Sequence, residues 1–233
     1  MIRCEWAREG LEALRPRVSV FVIVDVLSFS TAVDIAVGRG ALIHPFPLGD
    51  HEAAKAEADK VGAMVAAPKR AAGGQFSLSP ASLRHLNPGD RLLLPSPNGS
   101  RLSLAGGDTP VLAGCLRNAR AVAAKARELA GGGEIGLIPA GERWPGDTLR
   151  PAVEDLIGAG AIIDALASEM TTEARVARDA WRSAQSDLDT LIRDCRSGQE
   201  LIERGFEIDV DLALERDVSA AAPVLRAGAY VAG

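Results

Sequence analysis

The apolar positions of this chain fall into short unbroken runs, separated by longer stretches in which apolar residues recur every three or four positions. Residues 20–24, Val-Phe-Val-Ile-Val, have the composition of a strand buried on both faces, as in a parallel sheet under helices. Further runs at 41–46, 63–67, 91–95, 111–113 and 135–138 predict five more strands. Helical spacing fills the gaps at 31–38, 51–61 and 119–129. Asp50 stands ready to cap the second of these helices, and Gly38-Arg39-Gly40 and Gly131-Gly132-Gly133 stop the first and third. Strand and helix thus alternate, which predicts a parallel sheet. From Pro151 the pattern turns helical: Val153, Leu156, Ile157, Ala161, Ile162, Ala165 and Leu166 recur on one face. More helices are predicted over 174–183, 188–195 and around Leu201-Ile202, and one or two late strands over 208–214 and 223–231. Residues 6–14 read as a helical turn or an edge segment, and 69–82 as a long loop of the sort that carries function. The fold class is therefore α/β, a mostly parallel sheet flanked by helices, with a helix-rich C-terminal portion from about residue 151. No repeat or Pro/Ser-rich linker divides the 233 residues, so a single domain is expected.

Composition narrows the chemistry. A net charge of -5 without a long acidic or basic block argues against nucleic-acid and polybasic membrane binding, leaving a small molecule as the expected partner. Cys4, Cys115 and Cys195 lack zinc or disulfide spacing, which fits a reducing compartment. No signal-peptide pattern or membrane-length apolar run occurs, so a cytoplasmic protein is expected. A homo-oligomer is compatible with all of this.

Several candidate residues follow the carboxyl ends of predicted strands, where the ligand crevice of a parallel sheet forms. Asp25 follows the first. It either caps a turn or presents a carboxylate to a hard cation such as Mg2+, with Ser30 and Thr31 opening the next helix toward an anion. Asn98, Gly99, Ser100 and Arg101 follow another strand, as an ordinary Asn-Gly turn or as an anion-binding loop with a positive backbone angle at the glycine. Gly141 and Arg143 follow a third. Glu154-Asp155 sits in the first turn of an apolar helix, where the helix dipole alone can account for it. With Leu156 and Ile157 buried, at least one of the two acids borders the sheet edge and can join Asp25 around a metal. The Walker phosphate loop, the nucleophile elbow, the paired-aspartate phosphatase loop and the cysteine-phosphatase loop are all absent.

The series Ile23-Val24-Asp25-Val26-Leu27 with Ser30-Thr31, Ser77-Leu78-Ser79-Pro80, Asn98-Gly99-Ser100, Asn118-Ala119, Ala140-Gly141 and Glu154-Asp155-Leu156 resembles the 2-phosphosulfolactate phosphatase family. The resemblance implies a Mg2+-dependent phosphatase that converts 2-phosphosulfolactate to sulfolactate and phosphate, a step toward coenzyme M. It implies that Asp25, Glu154 and Asp155 form the metal centre, and that Asn98, Gly99 and Ser100 belong to the anion site. The chain departs from the family at Ser28-Phe29, where Arg and Ala are usual, and at Ser197-Gly198-Gln199 in place of a His-Gly-Arg-like segment. Arg101, Arg117 or Arg143 are the candidate replacements for the missing cations. The rival expectation is a non-catalytic relative that binds an anionic metabolite or a protein partner.

Overall fold

A computed structural model describes residues 1–67, 70 and 76–233, so the expected 69–82 loop lies partly outside the described residues. The first half of the chain forms β1 (Ile2–Cys4), α1 (Ala7–Leu14), β2 (Val18–Val24), α2 (Phe29–Gly38), β3 (Leu42–Pro47), α3 (His51–Val61), β4 (Met64–Val65), α4 (Pro80–Leu83), β5 (Arg91–Ser96) and α5 (Gly99–Ala105). There follow β6 (Val111–Gly114), α6 (Ala119–Ala130), β7 (Glu134–Pro139), the short β8 (Glu142–Arg143) and β9 (Leu149–Arg150), and α7 (Val153–Leu166). The C-terminal portion holds α8 (Thr172–Ala184), α9 (Leu188–Asp194), α10 (Arg196–Glu203), α11 (Glu207–Leu214), β10 (Pro223–Arg226) and β11 (Ala229–Ala232). Among the described residues no helix is long and apolar enough to cross a membrane.

The sheet order is β1-β7-β2-β6-β10-β11-β3-β5-β4. The α/β class and the mostly parallel sheet expected from the alternation are what the chain forms. Two parallel blocks, β1-β7-β2-β6 and β3-β5-β4, are joined by the antiparallel β10–β11 hairpin. The hairpin turns at Ala227 and Gly228, both with positive φ, as a two-residue turn between right-twisted strands requires. From β2 to β5 there are five strand steps, and a twist of roughly 20–25° per step turns one block by roughly 100–125° against the other. That rotation lets the carboxyl ends of β2 and β5 meet although the hairpin reverses the strand direction between them.

Residues 20–24 of β2 are fully buried, as predicted. Val20, Val22 and Val24 pack on one face with α6, α7 and α8, through residues such as Val122, Ile162 and Ala177. Phe21 and Ile23 pack on the other with Phe29, Val33, Leu92, Leu94 and Tyr230. A β2 strand sealed on both sides fixes where Asp25 emerges.

Four expectations change. Residues 208–214, whose Ile-x-Val-x-Leu-x-Leu alternation predicts a strand, form α11. Ile208 is largely exposed while Asp209, Val210, Leu212 and Ala213 are buried, a helical and not an alternating pattern. Pro80 starts α4 inside the expected loop, as proline at a first helical position permits. The Asn-Gly segment opens α5, and the N-terminal residues add β1 beside β7. The 6–14 segment is helical.

Candidate active site

Asp25 leaves β2 at the rim of a cavity of about 160 Å3. Its carboxylate is largely buried and held by backbone: Oδ1 accepts from Phe29 N–H at 3.2 Å, and Oδ2 from Gly99 N–H at 2.9 Å. Each oxygen keeps a second lone pair. The neighbouring hydroxyls build the loop and do not face the cavity. Ser30 Oγ accepts from Asp25 N–H and donates to Ile23 O, Thr31 Oγ1 donates to Val26 O, and Ser100 Oγ donates to Leu94 O. The hydroxyls of Ser30, Thr31 and Ser100, residues expected at the anion site, are thus spent on backbone carbonyls inside the core. Gly99 is needed for a different reason than a positive φ. A Cβ there would lie 2.2 Å from Phe29 Cδ1, so the glycine lets α5 approach closely enough for its N–H to reach Asp25.

The two acids of α7 lie behind this loop. Asp155 Oδ1 accepts from Val26 N–H at 2.7 Å and Oδ2 from Gly141 N–H at 2.8 Å, so one carboxylate ties the loop after β2 to the loop after β7. Gly141 has φ +66, and a Cβ would strike Leu149 Cδ1 at 2.6 Å. Glu154, also buried, accepts at Oε2 from Cys195 Sγ at 3.3 Å. Burial and then the Glu154 charge push the Cys195 thiol up to about 12. Neither acid of the pair lines the cavity, whereas Glu142 does.

The cations of the cavity are Arg70 and Arg204, with Ser28, Ser96, Asn98 and Ser197 as further polar walls. Arg70 is clamped: Nη1 to Asp209 Oδ2 at 2.6 Å, Nη2 to Ser28 Oγ at 2.8 Å, its guanidinium 5.8 Å from the Phe206 ring centroid. Asp209 in turn accepts from Ser79 Oγ and Ala81 N–H. Ser96, a residue of the cavity wall, has its Oγ buried without a hydrogen-bond partner among the described residues. Arg101 and Arg143, expected as replacement cations, line a separate depression with Arg8, and Arg117 lies against Asp34 on α2. The acids repel one another. Burial, followed by the Glu142 charge, raises Asp25 to about 7, and Asp155 is raised well above the usual carboxylate range by burial and then by Glu154 and Asp25.

The fit to a metal is limited. Among the described residues no three His, Cys, Asp or Glu side chains are close enough together to hold an ion, so the expected Asp25, Glu154 and Asp155 are not a ready three-ligand cage. The carboxylates that line the cavity are Asp25, Glu142 and Glu200, and it is the Glu142 charge that acts most strongly on Asp25. Asp25 with Glu142 suits Mg2+, which commonly takes one or two carboxylates and completes its shell with water and substrate phosphate.

Residues 9–228 match the family model described as 2-phosphosulpholactate phosphatase. The chain belongs to the 2-phosphosulfolactate phosphatase family. It is 33% identical over 209 residues to a protein of Methanothermobacter thermautotrophicus named 2-phosphosulfolactate phosphatase, a match covering 89% of this chain and 87% of that one. A protein of Pseudothermotoga lettingae named "Probable 2-phosphosulfolactate phosphatase" is 26% identical over 208 residues, covering 88% of each. The family recognised from the Asp25, Asn98 and Glu154 motifs is thus the family found. Within its site, Ser96 and Glu142 lie in the strand-end loops 96–101 and 141–143 whose convergence was expected, without a role of their own, and sequence reasoning missed Arg70 and Arg204. Glu142 follows the flagged Gly141 directly and Ser96 the flagged β5, so their places after strands were a usable signal. Arg70 and Arg204 carried none, since only the clamp by Asp209 and Phe206 brings Arg70 inward.

Proposed function

We propose that this chain is a Mg2+-dependent phosphatase acting on a small polyanionic hydroxy-acid phosphate, with 2-phosphosulfolactate, named for its relatives, as the substrate. The observation that carries the reading is one small cavity that sets the Asp25 carboxylate against two arginines and an unpartnered buried serine hydroxyl. Acid and base of this kind, facing the same space without neutralising one another, suit a cation and a multiply charged anion bound together.

Asp25 and Glu142 would hold Mg2+, which when bound supplies Lewis-acid polarisation of the phosphoryl group and of water. Asp25 is aimed by the Phe29 and Gly99 N–H groups, and a carboxylate fixed in this way loses little freedom when it engages a ligand. Asp155 holds the two loops that carry Asp25 and Glu142 at a set spacing. Ser96 Oγ and the Asn98 side chain offer donors to phosphate oxygens, and Arg70 offers a planar cation that Asp209 prevents from swinging away. Arg204, beside Arg70 and also 5.8 Å from the Phe206 centroid, provides charge for a second anionic group.

The test is phosphate release from 2-phosphosulfolactate with Mg2+, with excess chelator, and with Mg2+ restored. Release that stops and returns supports the reading. No release at saturating Mg2+ overturns the activity, and release indifferent to chelation overturns the metal.

A further inference from the structure

Arg150 stands behind one wall of the candidate active site. It lies opposite Glu142 in the β8–β9 ribbon, so the two side chains share a face, and its guanidinium is 5.9 Å from the Trp144 ring centroid. The residue is buried, yet among the described residues it forms no ion pair, and its one side-chain hydrogen bond runs from Nη2 to Ser197 Oγ at 3.2 Å. A guanidinium buried without a carboxylate is costly, which makes its charge a candidate for function.

Ser197 connects that charge to the cavity. Ser197, Glu200, Leu201 and Arg204 recur at i, i+3, i+4 and i+7 along α10 and its end, and all four line the cavity, whereas Arg150 does not. Arginine only donates, so Ser197 Oγ is the acceptor and keeps its own hydrogen for another partner. Among the described residues none takes that hydrogen. A hydroxyl that accepts from a fixed cation is polarised and becomes the stronger donor. The cavity has need of one: Asp25, Glu142 and Glu200 outnumber Arg70 and Arg204 among its lining side chains, so without further positive character it favours a cation over a polyanion.

We propose that Ser197 is a substrate-binding donor and Arg150 its positioning residue: the Ser197 hydroxyl, oriented and polarised by Arg150, donates to the anionic group of the substrate that is not hydrolysed, beside Arg204 on the same helix face. This rests on the reading of the site as a phosphatase for a polyanionic substrate, and it names the residues that recognise the second anion. The phosphoryl group is left to Asp25, Ser96 and Asn98, which arrive from other elements.

The experiment is calorimetric titration of the full chain, with Mg2+, by sulfolactate, the dephosphorylated form of the proposed substrate, and separately by inorganic phosphate. Ser197→Ala is expected to weaken sulfolactate about tenfold or more, and Ser197→Thr, which restores the hydroxyl, to recover most of that loss, while phosphate binds the parent and Ser197→Ala alike. Arg150→Lys keeps the charge but not the fixed fork; it is expected to weaken sulfolactate as well, and to add nothing in the Ser197→Ala background. A purely structural Arg150 would instead weaken both backgrounds equally. A Ser197→Ala affinity for sulfolactate within about twofold of the parent, a matching loss for phosphate, equal losses from Arg150→Lys in both backgrounds, or no sulfolactate binding by the parent would each overturn the assignment. A parent that binds sulfolactate but releases no phosphate from 2-phosphosulfolactate overturns the activity and leaves this subsite standing, so the two failures are distinguishable.

Discussion

Arg70 offers the sharpest single perturbation, because it is both a wall of the proposed substrate cavity and half of a buried ion pair. Its side chain is 9% exposed and that of Asp209 1%. Replacing Arg70 with methionine keeps length and apolar contact with Phe206, but strands the Asp209 charge with only the Ser79 hydroxyl and the Ala81 N–H. Breaking a buried pair from one side costs about 3–5 kcal/mol. For a domain of this size that is a fall in Tm of roughly 6–20 °C. Thermal unfolding of Arg70→Met, Asp209→Leu and the double variant closes the cycle. The double should lose less than the sum of the singles by about 2 kcal/mol or more, since no unpaired charge remains. Phosphatase activity should stay low in the double despite the recovered stability, because the cavity still lacks the Arg70 guanidinium and keeps only Arg204. Additive stabilities, or a Tm for Arg70→Met equal to that of the parent, would refute the ion-pair account.

Gly99→Ala should destabilise by about 1–3 kcal/mol and depress turnover further than stability alone explains, because the new methyl meets the Phe29 ring and pushes the N–H away from Asp25; melting curves and turnover at a temperature well below Tm separate the two effects. Cys195 and Cys4 are held up to about 12 and Cys115 is also raised, all chiefly by burial, so the folded chain should show no fast thiol reaction with a disulfide reagent near neutral pH, while unfolding releases all three. Asp25 titrates higher folded than unfolded, so its contribution to stability is fully present below the unfolded value near 3.8 and is lost as pH rises through about 7. Chelator-treated protein should therefore melt at lower temperature at about pH 8 than at about pH 5.5, and Mg2+ should narrow that gap; a metal-free Tm that rises over this interval contradicts the assignment.

The architecture was legible where composition leaves few alternatives. The all-apolar 20–24 run has no polar face to expose, and the glycine stops fix the ends of α2 and α6. The stretch 208–214 was misread because its alternating apolar residues satisfy a strand pattern, while the decisive residue, Asp209, is buried for the sake of Arg70, 139 residues away. The β10–β11 hairpin turns on Ala227-Gly228, a weaker turn signal than Asn-Gly, and nothing local announces that it joins two sheet blocks. Asp25 stood out because a carboxylate ending a buried strand requires a partner. The hydroxyls beside it looked equally functional, and their bonds to Ile23, Val26 and Leu94 carbonyls depend on loop geometry that sequence does not display. Cations were the least legible, since the flagged arginines and the ones in the cavity differ only in tertiary position.

The central claim is that the Asp25 carboxylate, facing the Arg70 and Arg204 cavity, is indispensable to phosphate-ester cleavage. Turnover of 2-phosphosulfolactate by folded Asp25→Asn, at saturating substrate and Mg2+, addresses it directly. The account predicts a loss of about a hundredfold or more; turnover within about twofold of the parent would contradict it.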